Sequence, residues 1–418
     1  MLFTENCDSK LNDMAKIKPF KAVRPAPDKV ALVTCRNYDD YSPAELAAWL
    51  DFNPYSFLHI IHPAYLHSQK TTFDKRFKGV ANKYQDYKNE KILITDDKDS
   101  FYVYEIQTKW QSFTGIIAGT SIADYQNNII KKHEDTLQYR VELFKDYLHQ
   151  TQFNAEPVLM TFAGDEIIES FLEKVKHNSP LYHFSTTNKE KHTLWKIDGL
   201  EGINWLINYF EKQPELYIAD GHHRSASAEL LFQEDQSLQN ENLNCFMSFL
   251  IPENQIKIYE YNRMIHDLNG LDTPSFLKIL SKNFVVSIKD NELWKPKCKG
   301  EFGMYIEGNF YELKFKNDLL QSGILKNLDA QILYDYILNS ILGIEDLRND
   351  ERIDYISGKE SALIMKNQID DGDYKVGFLL YPSSIDEIKK IADHQLIMPP
   401  KSTYIEPKFR SGLLVYEL

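Results

Sequence analysis

Cysteine is scarce in this chain, and the four residues present, Cys7, Cys35, Cys245 and Cys298, form neither a CxxC pair nor a regular framework. A disulfide scaffold and a structural zinc site are both disfavoured, and the thiols read as reduced. No segment approaches the roughly 18 uncharged apolar residues that spanning a bilayer needs. The polar start, Met1 to Lys18, also lacks the apolar run of a signal peptide. The expectation is a cytoplasmic protein without membrane contact. Positive charge is in deficit: 48 Lys and Arg against 61 Asp and Glu leave a net charge of −13. Such a chain repels a polyanion, so nucleic acid is disfavoured as a partner, while a small anion held locally is not. No internal repeat or low-complexity tract stands out, and nothing in the sequence indicates an oligomeric state.

What the chain does have is length and apolar content. With 418 residues and 43% hydrophobic composition it can bury a large core and exceeds one typical globular unit, so two or three domains are expected. The first 19 residues read as a frayed arm or short helix. Ser42-Pro43-Ala44-Glu45 has the serine cap and early proline of a helix start. Lys91 to Thr95, Phe101 to Gln107 and Thr114 to Thr120 are short β-rich runs suited to an antiparallel meander. Asp135 or Thr136 can cap a helix in which Leu137, Val141, Phe144 and Leu148 form one apolar stripe. Strand Glu156 to Thr161 follows, then helix Ile203 to Phe210, strand Leu216 to Ala219 and helix Ser225 to Phe232. Strands Phe246 to Ile251 and Ile256 to Tyr261 are expected to continue the same sheet, and Thr273 to Phe284 and Leu325 to Leu342 to be helical. The fold class is α+β, read as an N-terminal α+β region over 1–128, a mixed α/β core over 129–270 and a C-terminal α+β region over 271–418.

The segment that carries chemistry is Asp220-Gly221-His222-His223-Arg224. A buried strand leads into it, Gly221 permits a sharp turn, and Ser225-Ala226-Ser227-Ala228 has the small, cap-rich character of a helix N-terminus. Unpaired N–H groups in a first helical turn, together with the helix dipole, make such a turn an anion site. Arg224 can grip phosphate oxygens bidentately, His222, His223 and Ser225 add donors, and Asp220 can hold a metal or orient a histidine. A loop whose Asp caps the helix and whose histidines are merely half-buried explains the same letters. Zinc is a minor reading, because neighbouring histidines diverge and no HxxxH or HxH partner accompanies them. Near the C-terminus, Lys401, Ser402, Thr403, Lys408 and Arg410 gather cations and hydroxyls in an acidic protein. They are candidates for a substrate or phosphate lid, or for a solvated loop.

The Asp220 to Arg224 turn resembles the nucleotide-phosphate loop of the ParB and sulfiredoxin superfamily. Upstream, His133-Glu134, Arg140, Leu143, Leu148 and Pro157-Val158-Leu159 resemble the front half of that superfamily's free serine kinases. Most of the chain is similar to the family known as domain of unknown function 1015. That similarity rests on Lys18-Pro19-Phe20, Asn53 to His59, Lys132 to Thr136, the Asp-Gly-His-His-Arg loop, Ile341 to Asp346 and Met398 to Thr403. Of that family's Pro-Pro-Tyr-Asp motif only Tyr38 and Asp39 carry over, because Arg36-Asn37 stands in place of the prolines.

The resemblance implies a ParB/sulfiredoxin-like core with an insertion near 162–214, and a kinase. ATP or ADP would place its phosphates on Gly221 to Arg224, with Mg²⁺ bridging their oxygens. Glu134 would be the base, with Asp220 and His223 assisting. Free L-serine, or a similar small alcohol, would be the acceptor and O-phospho-L-serine the product. The alternatives are a non-catalytic, nucleotide-binding regulatory protein of ParB-like type and a catalytically silent scaffold. Asp39 and His59 are weaker candidates.

Overall fold

The computed structural model describes residues 14–65, 71–234, 240–289, 293–319, 321–358 and 361–418. Cys7 and most of the expected N-terminal arm lie outside these residues. The chain divides into two compact units: residues 1–131, 136–256 and 407–418 form the first, and 132–135 with 257–406 form the second.

The first unit is built on a nine-stranded mixed sheet. Its strands are β1 (Ile17–Lys18), β2 (Phe101–Gln107), β3 (Ser112–Ser121), β4 (Ile130–Lys131), β5 (Val158–Phe162), β6 (Tyr182–Ser185), β7 (Lys191–Ile197), β8 (Leu216–Asp220) and β9 (Cys245–Pro252). They lie in the order β4-β8-β5-β9-β3-β2-β7-β6, with β1 paired to the end of β3. The expected meander is present as β2 and β3, and β7 and β6 extend it antiparallel on the β2 side. β5, β8 and β9 are buried nearly throughout, which is why they read in sequence as continuous apolar runs rather than alternating ones.

The helices of this unit follow local signals in part. α1 (Pro43–Phe52) opens with a capping box in which the Ser42 hydroxyl accepts from Glu45 N–H and the Glu45 carboxylate accepts from Ser42 N–H. α2 (Leu58–Tyr65) packs against it and, more extensively, against α3 (Phe73–Asn89). α4 (Gln138–Thr151) begins later than Asp135 or Thr136 would allow: its N-cap is Leu137, and no side chain of its own caps it. Val141 and Leu148 of the expected stripe are buried, whereas Phe144 is exposed. α5 (Glu166–Lys176) and α6 (Leu200–Phe210) precede α7 (His222–Glu234), which starts three residues earlier than the Ser225 expected from composition.

The second unit contains a six-stranded sheet, antiparallel throughout. Its strands are β10 (Tyr261–Ile265), β11 (Phe284–Ile288), β12 (Glu301–Ile306), β13 (Asn309–Phe315), β14 (Ile353–Ser357) and β15 (Val376–Leu379), in the order β11-β13-β12-β15-β10-β14. The expected strand Ile256 to Tyr261 does not continue the first sheet. Lys257–Tyr259 pairs with Tyr404–Glu406, and β10 begins at Tyr261 in the second unit. The helix expected over Thr273 to Phe284 is α8 (Thr273–Leu280), which stops because Phe284 pairs with Phe315 in the sheet. The expected helix from Leu325 to Leu342 is interrupted at Leu328, whose extended backbone (φ −74°, ψ 137°) separates a 3₁₀ turn from Asp329–Leu333. A π turn, Tyr334–Asn339, completes the run. α9 (Ser361–Asp370) and α10 (Ile385–Asp393) also belong to this unit. Cys35, Cys245 and Cys298 are unpaired, as expected of reduced thiols. No described helix is long and apolar enough to cross a membrane.

Candidate functional site

The strand β8, the Gly221 turn and α7 form the expected strand-turn-helix, and topology decides what surrounds it. β5 runs antiparallel to β8 with Leu159 opposite Asp220, so residues just before β5 lie beside the C-terminal end of β8. The register slips between Ile218 and Asp220, a bulge of the kind that turns a strand end away from its ladder. Glu156 thereby comes next to the loop. Gly221 has φ +105°, where an L side chain is strained, and a Cβ there would lie 2.8 Å from Arg224 Nε and 2.9 Å from Nη2. The turn requires glycine, and a Cβ here would displace the flexible guanidinium that lies over it.

Arg224 is held loosely. Its Nη1 is 3.5 Å from Glu156 Oε2 and its Nη2 is 3.5 Å from Asp220 Oδ2, well beyond the roughly 2.7–2.9 Å of a strong charge-assisted bond. Lys408 approaches Asp220 Oδ2 at 3.1 Å. The C-terminal segment that delivers Lys408 is anchored on both sides. Phe409 packs against Tyr104 (5.4 Å between ring centroids) and Phe249 (6.1 Å), while Arg410 donates to the Thr34 hydroxyl and carbonyl at 3.3 and 2.7 Å. Ser411 donates to Glu156 Oε1 at 2.8 Å and exchanges backbone bonds with Cys35. A narrow cleft results, lined among others by Asn37, Glu156, Asp220, Arg224, Lys408 and Phe409.

The electrostatics of this cleft are strongly coupled. Burial would raise the Asp220 carboxyl, but Lys408 and then Arg224 outweigh it and hold the group down at about 2. Asp40 goes the other way: burial lifts it, with Asp39 and Glu156 adding to the rise and Lys408 and Arg36 opposing it. The Tyr65 phenol is also raised, by burial first and then by Glu156, Asp39 and Tyr38, with Arg224 opposing. Tyr65 stacks on Tyr38 at 3.7 Å between centroids, and the Tyr38 hydroxyl meets His62 Nδ1 at 2.8 Å. Tyr38 and Asp39, the two residues that match the family motif, therefore border this charged cluster.

The other sequence candidates separate. His223 Nε2 accepts the Leu137 N–H at 3.1 Å, so the imidazole secures the entry of α4 and that nitrogen carries no proton. His222 is buried. The Ser225 hydroxyl donates to the His222 carbonyl at 3.0 Å. His59 Nε2 lies 3.0 Å from the Asn53 carbonyl, inside its own turn. Glu134, with Lys401, Ser402 and Thr403, belongs to the second unit. There Glu134 is half-buried 4.0 Å from His133 Nε2, and the His133 carbonyl accepts the Met398 N–H at 2.9 Å. The Ser402 hydroxyl donates to the Pro399 carbonyl at 2.6 Å.

A Mg²⁺ ion bound directly by the protein does not fit these residues. The Asp220 carboxylate faces Lys408 at 3.1 Å and Arg224 at 3.5 Å, cations that oppose a metal ion there, and no group of three His, Cys, Asp or Glu side chains among the described residues could hold a metal. A nucleotide phosphate fits better, since Gly221 allows close backbone approach and Arg224 and Lys408 supply positive charge. Glu156, Asp40 and Tyr65 did not emerge as candidates from the sequence. The signal for Glu156 was its place just ahead of a strand antiparallel to the loop strand.

Residues 17–331 match the model of the family described as "Protein of unknown function (DUF1015)". The chain belongs to this family. No curated protein matches it in sequence. Among solved structures it is similar to SbnI with C-terminal truncation from Staphylococcus aureus, at 12% identity and TM-score 0.39, over 71% of this chain and 85% of that one. It is also similar to a free serine kinase in complex with AMP, at 13% identity and TM-score 0.35, over 72% and 91%. A conserved hypothetical protein from Pyrococcus furiosus matches at 13% identity and TM-score 0.33, over 72% and 95%. Likenesses this loose carry no argument about the site.

Proposed function

We propose that this DUF1015 protein is a nucleotide-dependent phosphotransferase acting on a small hydroxyl compound, with free L-serine as the favoured acceptor. The observation that carries the reading is the Gly221 turn at the N-terminus of α7, with Arg224 lying over it and Lys408 beside Asp220. First-turn N–H groups, the helix dipole and two cations suit the terminal phosphates of ATP or ADP. The long contacts of Arg224 to Glu156 and Asp220 also matter, because exposed or partly exposed pairs of this kind are worth about 0–1 kcal/mol and are readily exchanged for phosphate oxygens.

Phosphoryl transfer asks a protein mainly for positioning and charge stabilisation. The acceptor oxygen forms a bond to the terminal phosphorus, the bond to the bridging oxygen breaks, and the shortened nucleotide leaves with that electron pair. The acceptor proton goes to a base, a role given to Glu134 on the sequence resemblance to free serine kinases. Its half-buried, solvent-accessible side chain beside His133 is compatible with that role.

The test is incubation of the purified protein with MgCl₂, ATP or ADP, and a panel of amino acids and small alcohols, followed by mass spectrometry. O-phospho-L-serine, or another phosphorylated acceptor, supports the reading. Nucleotide binding without any phosphorylated product would replace it with the regulatory one, and absence of both would leave a scaffold.

A further inference from the structure

The second unit buries an arginine that the site above does not use. Arg263 lies on β10, between β15 and β14, with Phe378 and Tyr355 as its strand partners. Directly opposed residues share a face of the sheet. Arg263 therefore stands in the same layer as Ile265, Ile353 and Phe378 of the apolar core, only 1% exposed. Its Nη1 donates to the Tyr261 carbonyl, and the guanidinium lies 5.6 Å from the centre of the Tyr355 ring. Nε and Nη2 have no hydrogen-bond partner among the described residues. A buried cation left in this state is costly, and removing water from it without an anion is among the least favourable arrangements in a protein interior.

The identity of the two nitrogens is informative. Nε–H and Nη2–H point from the same edge of the guanidinium, in parallel, which is the fork that takes both oxygens of a carboxylate. Burial brings the group down to about 10, which still leaves it protonated at neutral pH.

The contacts around this arginine form a closed circuit within the second unit. From Arg263 it passes to the Tyr355 ring, whose hydroxyl donates to the Leu347 carbonyl at 2.6 Å. Arg348 then meets Asp135 with both terminal nitrogens at 3.3 Å. Asp135 follows Glu134 and His133, and the His133 carbonyl holds Met398. Three residues on, Lys401 adopts a left-handed backbone (φ +57°) and places its ammonium 5.3 Å from the Tyr261 ring centre. Tyr261 returns the circuit to Arg263. Two stretches that match the family motifs, 132–136 and 398–403, together with Leu347-Arg348 just after a third, are thus connected to one buried guanidinium that belongs to none of them.

We propose that Arg263 binds the carboxylate of a small-molecule ligand, so that the acceptor of this protein is an amino or hydroxy acid rather than a neutral alcohol. The acceptor clause rests on the phosphotransferase reading; the carboxylate site itself does not. The isosteric pair L-serine and L-serinamide separates the two chemistries, since only the first carries a carboxylate.

Calorimetric titration of the full chain with each compound is the test, run on the wild type, Arg263→Met and Arg263→Lys. The expected result is that wild type binds L-serine at least about 10²-fold more tightly than L-serinamide, the loss anticipated when a buried charged donor pair goes unmet. Arg263→Met abolishes the preference while its melting temperature stays equal or rises, because an apolar residue of similar length relieves an unpaired buried charge. Arg263→Lys, which keeps charge without the fork, weakens L-serine binding about 10-fold or more. Equal affinity for both compounds in the wild type, undetectable binding of L-serine, or an unchanged preference in Arg263→Met overturns the proposal. If Arg263→Met fails to fold, the lysine variant decides alone, and wild-type affinity there has the same consequence. Failure of the kinase reading looks different: L-serine binds through Arg263, but no phosphorylated product forms with ATP or ADP.

Discussion

Arg224 in the first unit and Arg263 in the second stand in opposite circumstances. The side chain of Arg224 is 22% exposed and lies between two carboxylates at 3.5 Å, while Arg263 is 1% exposed and offers two N–H groups to no described partner. A cation that is loosely paired in a wet cleft can change partners at small cost, which suits a group that must release as well as bind. A cation that is dry and lacks a counter-ion is costly until something anionic completes it. The first arrangement suits a phosphate donor that comes and goes. The second suits the fixed recognition of one carboxylate.

The largest expected effect on the proposed reaction lies at Glu134. If it serves the acceptor alone, Glu134→Gln lowers turnover by roughly 10² to 10⁴-fold while nucleotide affinity is kept. Steady-state kinetics paired with nucleotide titration checks both halves, and unchanged turnover removes Glu134 from the mechanism. The reverse pattern is expected at Arg224. Arg224→Ala loses charge-assisted bonds worth about 1.5–3 kcal/mol each, so nucleotide binding weakens by about 10 to 10²-fold, with L-serine binding unaltered. Equal nucleotide affinity by calorimetry would mean that the Gly221 turn holds no phosphate. Gly221→Ala sharpens the same half, since φ +105° strains any Cβ and that Cβ would push on the guanidinium. A stability loss of about 1–3 kcal/mol in denaturant titration is expected, together with weaker nucleotide binding. If the variant keeps wild-type stability and affinity, Arg224 does not depend on the glycine.

How much of this was readable in the sequence differs between the two arginines for a physical reason. Arg224 sits in a local signal: strand, glycine, histidines and a helix start lie within a dozen residues, so the anion turn was visible before any fold was known. The capping box of Ser42 and Glu45 was visible on the same grounds. Asp135 and Thr136 looked like caps for α4 because local letters cannot show that His223, 86 residues away, binds the Leu137 N–H. Glu156 was visible only as the front of a strand, since its closeness to Arg224 depends on β5 running antiparallel to β8. Arg263 had no signal at all. A charge inside Tyr-Asn-Arg-Met-Ile reads as the exposed side of a strand, whereas β10 is buried on both faces. Likewise the break at Leu328 is invisible in apolar spacing, because the next turn is tied down by Asp329 accepting the Gly300 N–H from another part of the chain.

The smallest effect concerns the ion-paired trio at the Gly221 turn, Asp220 with Lys408 and Arg224. Its carboxyl lies at about 2, below the roughly 3.9 of an unfolded aspartate, so the folded state gains from ionisation. The sign follows from this. The contribution is fully present above about pH 4 and disappears as pH falls through the folded value near 2. Two-fifths of the side chain is exposed, so solvent screening keeps the contribution to about 1 kcal/mol or less. Melting temperatures of the wild type and Asp220→Asn, measured from pH 6 to pH 2, should therefore differ by a few degrees at most at pH 6. That gap should close between pH 4 and pH 2. A gap that stays constant down to pH 2 would show that Asp220 stabilises the loop through shape or neutral hydrogen bonds rather than charge. The cleft beside Arg224 would then lose its character as a set of exchangeable ion pairs, and with it the contrast to Arg263.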